Sequence, residues 1–381
     1  MTITADGANS ARMIESGPAP ERFARGWHCL GLAQEYRDGK PHSVEAFGGK
    51  LVVWQDTQGE LNVLDSYCRH MGGDLSQGTI KGDEIACPFH DWRWGGDGKC
   101  KDIPYAKRVP MRARTQAWTT LERDGLLFVW NDPEGGKPED YIPVIRTGDD
   151  EWTEWQWKTI TIDTNCREIV DNVVDMAHFF YVHYALPTYF KNVFEGVTAT
   201  QYMNGEGRED MIPPGTNVAH VAQGNSSVAS YYGPSFMVDE LCYHYADFDV
   251  ETKLVNCHYP VGPDRFVLMY GATVRKTADI PAGKAEKIAA TNVEFITKGF
   301  EQDVAIWRSK TRIDNPLLSE EDGPVYQLRR WYEQFYVDRA DVTAEMTDRF
   351  EFEIDTSKPM KSWRAQIAEN MAARETAGAQ G

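Results

Sequence analysis

The sequence predicts an α+β protein in two parts: an all-β N-terminal part of short strands, then a larger part in which an antiparallel sheet is flanked by helices. Three observations predict it. Up to about Asn131 the apolar runs are strand-sized and separated by turn residues, with no amphipathic helix of useful length. Asp132 to Asp150 (DPEGGKPEDYIPVIRTGDD) concentrates Pro, Gly and acid, the composition of a boundary. Beyond it, strand-like stretches lead into a long run with apolar residues spaced near three and four, the period of a helix.

Taken in order, residues 1–22 read as a flexible tail rich in Gly, Asn, Ser and Pro. A first domain over 23–150 begins with Trp27–Leu32 and contains strands at Leu51–Trp54, Glu60–Leu64 and Leu126–Trp130. A second domain over 151–360 begins with alternation at Trp157–Ile162, followed by Ile169–Tyr184, which can be helical. Strands are expected at Val197–Tyr202, Glu240–Val250, Lys253–Tyr259 and Phe266–Val274. Ala282–Lys310 reads as a long helix on Ile288, Val293, Ile296, Phe300, Val304 and Trp307, and Glu321–Tyr336 as a shorter one. A helix at Ser362–Ala373 closes the C-terminal segment 361–381.

The 381 residues carry 40 Lys and Arg against 58 Asp and Glu, a net −18, which argues against wrapping nucleic acid or lying on an anionic membrane while leaving room for a local basic docking surface. No run approaches the roughly 20 apolar residues that span a bilayer, and no basic segment followed by an apolar one opens the chain. A cytoplasmic location is expected. Seven cysteines, an odd and small number, exclude a disulfide scaffold. Cys29, Cys166, Cys242 and Cys257 are expected as small core residues, and Cys100 as a buried thiol.

Cys68 and Cys87 belong to a pattern, C-x-H-x16-C-x2-H, completed by His70 and His90. Gly72, Gly73 and Gly78 follow the first pair and Gly95, Gly96 and Gly98 the second, so both pairs sit in tight loops where backbone N–H groups can approach sulfur. A Cys2His2 zinc finger orders its ligands Cys-Cys then His-His on a helix. Here Cys and His alternate between strands, which favours a Rieske-type 2Fe–2S cluster, with two cysteines on one iron and two histidines on the other, over zinc or chance. Met71 and Trp92 are expected to roof the loops.

A second group lies in Asn172–His183 (NVVDMAHFFYVH). His178 and His183 are five apart, about 140° around an ideal helix, so they converge on one metal only if the helix ends or bends between them. Two histidines and one carboxylate leave positions open for O2. The local carboxylate is Asp175; the remote ones are Glu301 and Asp303 on the long helix, where Asp303 is favoured.

With both groups in one chain, the sequence resembles the oxygenase component of Rieske non-haem iron oxygenases. More closely, it is similar to bacterial 3-ketosteroid 9α-hydroxylase oxygenases, on Cys68–Ser76 (CRHMGGDLS), Ile85–Gly96 (IACPFHDWRWGG), Ile103–Ala106 (IPYA) and Asn172–His183. The resemblance spans about residues 23 to 360. It implies one 2Fe–2S cluster per subunit on Cys68, His70, Cys87 and His90, and one mononuclear Fe(II) on His178, His183 and Asp303. It also implies that Asp175 does not bind iron but bridges His90 of one subunit and His178 or His183 of the next, in a head-to-tail homotrimer. Asn172 is expected near the iron or on the electron path.

The implied activity is hydroxylation of a steroid C–H bond with O2 in bacterial steroid and cholesterol degradation. Electrons come from a separate NADH-dependent flavin and iron–sulfur reductase, since no G-x-G-x-x-G fingerprint follows a strand here. The alternatives are a Rieske monooxygenase or demethylase for another hydrophobic or aromatic compound, and an electron-transfer protein without catalysis. For a steroid-sized cavity, Phe179, Tyr232, Phe236, Met237, Tyr243, Phe295 and Trp307 are candidate liners.

Overall fold

The computed structural model describes residues 13–147, 150–213, 221–278, 280 and 283–378. Its N-terminal strands are β1 (Gly26–Leu32), β2 (His42–Ala46), β3 (Gly49–Gln55), β4 (Leu61–Asp65), β5 (Thr79–Lys81), β6 (Glu84–Ala86), β7 (Arg93–Gly95), β8 (Cys100–Asp102), β9 (Ala117–Trp118), β10 (Thr120–Arg123) and β11 (Leu126–Asn131). They form three small antiparallel sheets in the orders β1-β11-β10, β2-β3-β4-β9 and β5-β6-β7-β8. The continuous apolar run of β11 follows from its central place, where all six residues are buried. The tail expected over 1–22 lies partly outside the described residues; Glu15 and Gly17 donate backbone hydrogen bonds to Asn315 and Asp314.

The C-terminal part is built on one eight-stranded antiparallel sheet. Its strands are β12 (Gln156–Ile162), β13 (Ala185–Glu195), β14 (Thr198–Gly207), β15 (Gly224–Tyr232), β16 (Phe236–His244), β17 (Asp249–Gly262), β18 (Arg265–Val274) and β19 (Phe350–Glu353), in the order β12-β18-β17-β16-β15-β14-β13-β19. The helices are α1 (Arg167–Asp171), α2 (Ala177–Tyr181), α3 (Lys284–Ser309), α4 (Val325–Glu333), α5 (Ala344–Thr347) and α6 (Ser357–Gly378). One core packs Val293, Val304 and Trp307 of α3 and Leu328 and Trp331 of α4 against Phe266, Leu268 and Tyr270 of β18. Among the described residues no helix is long and apolar enough to cross a membrane.

Several expectations are adjusted. Ile169–Tyr184 is not one helix: Asp175 leaves the helical region at ψ 96° and Tyr184 is left-handed at φ 57°, so only α1, a 3-10 turn and α2 form. Glu240–Val250 is two strands joined by a turn. β13 and β15 carry little apolar alternation, yet each lies between two strands that satisfy its backbone. Cys29, Cys166, Cys100 and Cys257 are buried, whereas Cys242 is only half-buried beside His244.

Two histidines sit where the parts meet. His28 on β1 and His258 on β17 are each about fully buried, and His258 Nε2 has no hydrogen-bond partner among the described residues. Burial lowers His28 to about 4 and His258 to about 3, from an ordinary 6.5. Both are therefore neutral in the folded protein, while the unfolded chain takes up protons below 6.5. Their contribution is complete above that value and is lost as pH falls toward 4 and 3. At pH 5 the expected loss is on the order of 2 kcal/mol per histidine. Urea denaturation of the wild type and His258→Leu at pH 7.5 and 5.0 checks this: the variant should lose less stability on acidification, and equal losses would refute it.

Candidate metal centres and substrate cavity

Two loops carry the Cys/His pattern, one between β4 and β5 and one between β6 and β7. Each closes the same way. The backbone N–H four residues after the cysteine returns to the cysteine carbonyl, from Gly72 to Cys68 at 2.9 Å and from Asp91 to Cys87 at 3.0 Å. Those two residues have φ 76° and 54°, the left-handed bend that turns the histidine toward its partner loop. The first loop is also braced by Asp74. Partial burial opposes its ionisation, but hydrogen bonds from Ser66, Ser76 and Lys50 hold its carboxyl down to about 2.

The loops bring Cys68, His70, Cys87 and His90 together. Both cysteines are buried over a core of Leu75, Ile85, Trp94 and Ile103, and the His70 and His90 rings lie 4.7 Å apart. Burial pushes the Cys68 thiol up, a cost that metal coordination reverses. No three of these four donors lie within 4.8 Å of one another, as ligands of a single zinc would. A pair of sulfurs and a separate pair of imidazoles is the donor set of a two-iron cluster. The site also has the required surroundings. A Cβ on Gly73 would sit 2.7 Å from Cys87 Sγ, and the buried Trp94 indole N–H lies against the Cys68 sulfur as a donor. Trp92 stacks on His70 at 4.5 Å and roofs it; Met71 does not, being 64% exposed.

The second centre forms where α2 stops. The N–H groups of Val182 and His183 both return to the His178 carbonyl, at 2.7 and 3.3 Å, so the helix tightens off between the two histidines. Their rings converge to 5.0 Å. From α3, Asp303 reaches the same point with its Oδ1 3.4 Å from His183 Nε2, and ligand atoms of His178, His183 and Asp303 all lie within 4.8 Å of one another. Asp303 is 6% exposed, while Glu301 faces solvent. Asp175 stands outside the group.

The chemistry of these donors suits a divalent metal with open positions. His178 Nδ1–H donates to the Asp175 carbonyl and His183 Nδ1–H to Gln302 Oε1 at 3.4 Å, which leaves both Nε2 lone pairs free. Asn172 Nδ2 donates to Asp303 Oδ2 at 3.3 Å. Burial works against charge on His178 and on Asp175, but the attraction between the two side chains, 3.8 Å apart, wins, raising the imidazole and lowering the carboxyl. Gln302 and the Asn172–Asp303 contact were not foreseen; only the adjacency of Gln302 to Asp303 hinted at the first. Asn172→Ala is expected to weaken metal binding at this centre by roughly 10- to 100-fold, measured as iron retained against a chelator. Retention equal to wild type would deny Asn172 that role.

A cavity of about 600 Å³ opens on this centre. Phe179, Met237, Tyr243 and Phe295 line it as expected. Tyr232, Phe236 and Trp307 do not: Phe236 and Trp307 are buried in the packed cores and Tyr232 packs against one of them. The sheet floor adds a few polar groups. Asp239, 8% exposed, is pushed up to about 6 by burial and accepts from Ser227 at 2.8 Å, and Asn256 Oδ1 is buried without a hydrogen-bond partner among the described residues.

Two Cys/His loops on small antiparallel sheets, followed by a His178–His183–Asp303 group on a largely apolar cavity, define the class of Rieske non-haem iron oxygenases. Residues 26–113 match the family described as the Rieske 2Fe-2S domain, and residues 129–336 match the 3-ketosteroid 9alpha-hydroxylase C-terminal domain. A 3-ketosteroid-9-alpha-monooxygenase oxygenase component of Rhodococcus rhodochrous is 61% identical over 375 residues, covering 98% of this chain and 95% of that protein. One of Mycolicibacterium smegmatis is 58% identical, covering 96% of each. The solved structure of Pseudomonas putida CBB5 NdmA with caffeine shares the fold, with TM-score 0.65 and 19% identity over 87% of this chain and 97% of that one. The chain belongs to the family of 3-ketosteroid 9α-monooxygenase oxygenase components.

Proposed function

We propose that the chain is the oxygenase component of a two-component 3-ketosteroid 9α-monooxygenase in bacterial steroid and sterol degradation. A steroid C–H bond, O2, two electrons and two protons give a steroid alcohol and water. The electrons come from NADH through a separate flavin and iron–sulfur reductase. The domains run over 23–150 and 151–360. Cys68, His70, Cys87 and His90 hold one 2Fe–2S cluster per subunit of a homotrimer, and His178, His183 and Asp303 hold one Fe(II). When bound, these groups supply one-electron storage and O2 activation.

The chain's own residues do the rest. The hydrogen bonds at Nδ1 fix both histidine rings with Nε2 toward the cavity, and Asn172 fixes Asp303. Phe179, Met237 and Phe295 exclude water and hold an apolar skeleton against the metal centre. Asp239 and Asn256 supply the few polar anchors such a skeleton needs. Asp175, half-exposed at 49% while its neighbours are buried, is free to meet His90 of the next subunit.

What carries the reading is the largely apolar cavity of about 600 Å³ lined in part by His178, His183 and Asp303 in a chain of this family. The test is turnover of androsta-1,4-diene-3,17-dione with NADH and a matched reductase, the product read by mass spectrometry. One oxygen gained at C9, or the ring-opened product of its collapse, is expected. A reducible cluster with full iron and no steroid product would refute the substrate.

A further inference from the structure

The cations near the Cys/His loops differ in how they are paired. Those on the cluster sheet are neutralised: Lys81 and Arg93 by Asp91, Lys99 and Lys101 by Asp97. The loop from Ile103 to Arg114 (IPYAKRVPMRAR) is different. It carries Lys107, Arg108, Arg112 and Arg114 with no acid, in a chain of net −18. All four are exposed, and none has an ion-pair or side-chain hydrogen-bond partner among the described residues. The loop is not slack. Ile103, Val109 and Ala113 anchor it in the core that holds Cys68 and Cys87, and Cys100 N–H donates to the Ala113 carbonyl at 3.0 Å. Between the anchors it exposes Tyr105 at 65% and Met111 at 95%. Tyr105 also touches the cluster's roof: its hydroxyl accepts from Trp92 Nε1 at 2.8 Å, and Trp92 stacks on His70. A basic loop anchored in the core thus also carries the aromatic contact that leads from solvent through Trp92 to His70.

We propose that the loop 103–114 docks the acidic face of a one-electron carrier domain of the reductase, with Tyr105 and Trp92 as the contact beside His70. The inference rests on the reductase-driven function proposed above. In the step it serves, the carrier is oxidised by one electron and the cluster is reduced by one, with no atom exchanged. The positive collar orients an acidic donor over Tyr105 despite the acidity of the whole chain, and charge of this kind acts mainly on the association rate.

The test is anaerobic mixing of the oxygenase with NADH and a matched reductase, without steroid, following bleaching of the cluster absorbance. In K107E/R108E/R112E the second-order rate at low ionic strength is expected to fall about tenfold or more. Added salt should slow the wild type and leave the variant nearly unchanged. Reduction by dithionite and the mass by light scattering should match wild type, and K107Q/R108Q should show a smaller loss in the same direction. A variant rate within about twofold of wild type would overturn the proposal. So would loss of the wild-type oligomer, which would assign the surface to a contact between copies. Normal cluster reduction in a wild type that forms no steroid product would refute the substrate reading and leave the docking surface standing.

Discussion

Asp303→Ala is expected to purify with its cluster spectrum intact, about two irons per chain in place of about three, and no hydroxylated product. The carboxylate is buried, approaches His183 Nε2 at 3.4 Å and is held by Asn172. Removing it leaves two imidazoles and no negative charge to hold a divalent metal in a largely apolar cavity. The cluster loops are built on other strands around a different core, so their absorbance should not change. Iron analysis and turnover on one preparation decide it: unchanged iron and unchanged turnover would remove Asp303 from the centre.

Asp175→Asn is expected to keep both centres filled and to slow electron passage from cluster to iron by about 100-fold. The substitution is chosen for what it preserves. One Asp175 oxygen accepts the His178 backbone N–H at 3.2 Å at the start of α2, and an asparagine oxygen does the same. The backbone carbonyl that orients the His178 ring is untouched. What disappears is the negative charge on a half-exposed side chain, the feature a bridge between subunits requires. Single-turnover product formation after reduction of the cluster is the readout. A wild-type rate would exclude the bridge, and lost iron would show instead a structural role for the carboxylate.

The two centres were legible to different depths. The C-x-H-x16-C-x2-H pattern is local, and its glycines already imply the tight turns seen at Gly72 and Gly73. Its chemistry could be read because short loops bring near neighbours together whatever the rest of the fold does. The five-residue spacing of His178 and His183 likewise required a helix end, and Val182 and His183 supply it. The choice of Asp303 over Glu301 was favoured before the fold was known, but only the packing of α3 shows one acid buried against His183 and the other in solvent.

Other features were out of reach. Gln302 against His183 joins residues 119 apart, and Asn172 against Asp303 joins residues 131 apart. Aromatic residues look alike in sequence whether they line a cavity or fill a core, so Phe295 and Phe236 could be told apart only once the sheet and α3 were in place. β15 is not among the strands expected from the sequence, since its Gly-Asn-Ser-Ser start has no alternation; pairing with β14 and β16 makes it a strand. By itself, then, the sequence determined the class of fold, the Cys68–His70 and Cys87–His90 pairing of two loops and the chemistry such donor sets can support, because these depend on residue type and short spacing. The tertiary structure alone decided which distant side chains brace the second centre, what the cavity presents, and that the cations of loop 103–114 lack an ion-pair partner among the described residues on a loop whose Tyr105 touches Trp92, because each depends on which surfaces the packed elements bring face to face.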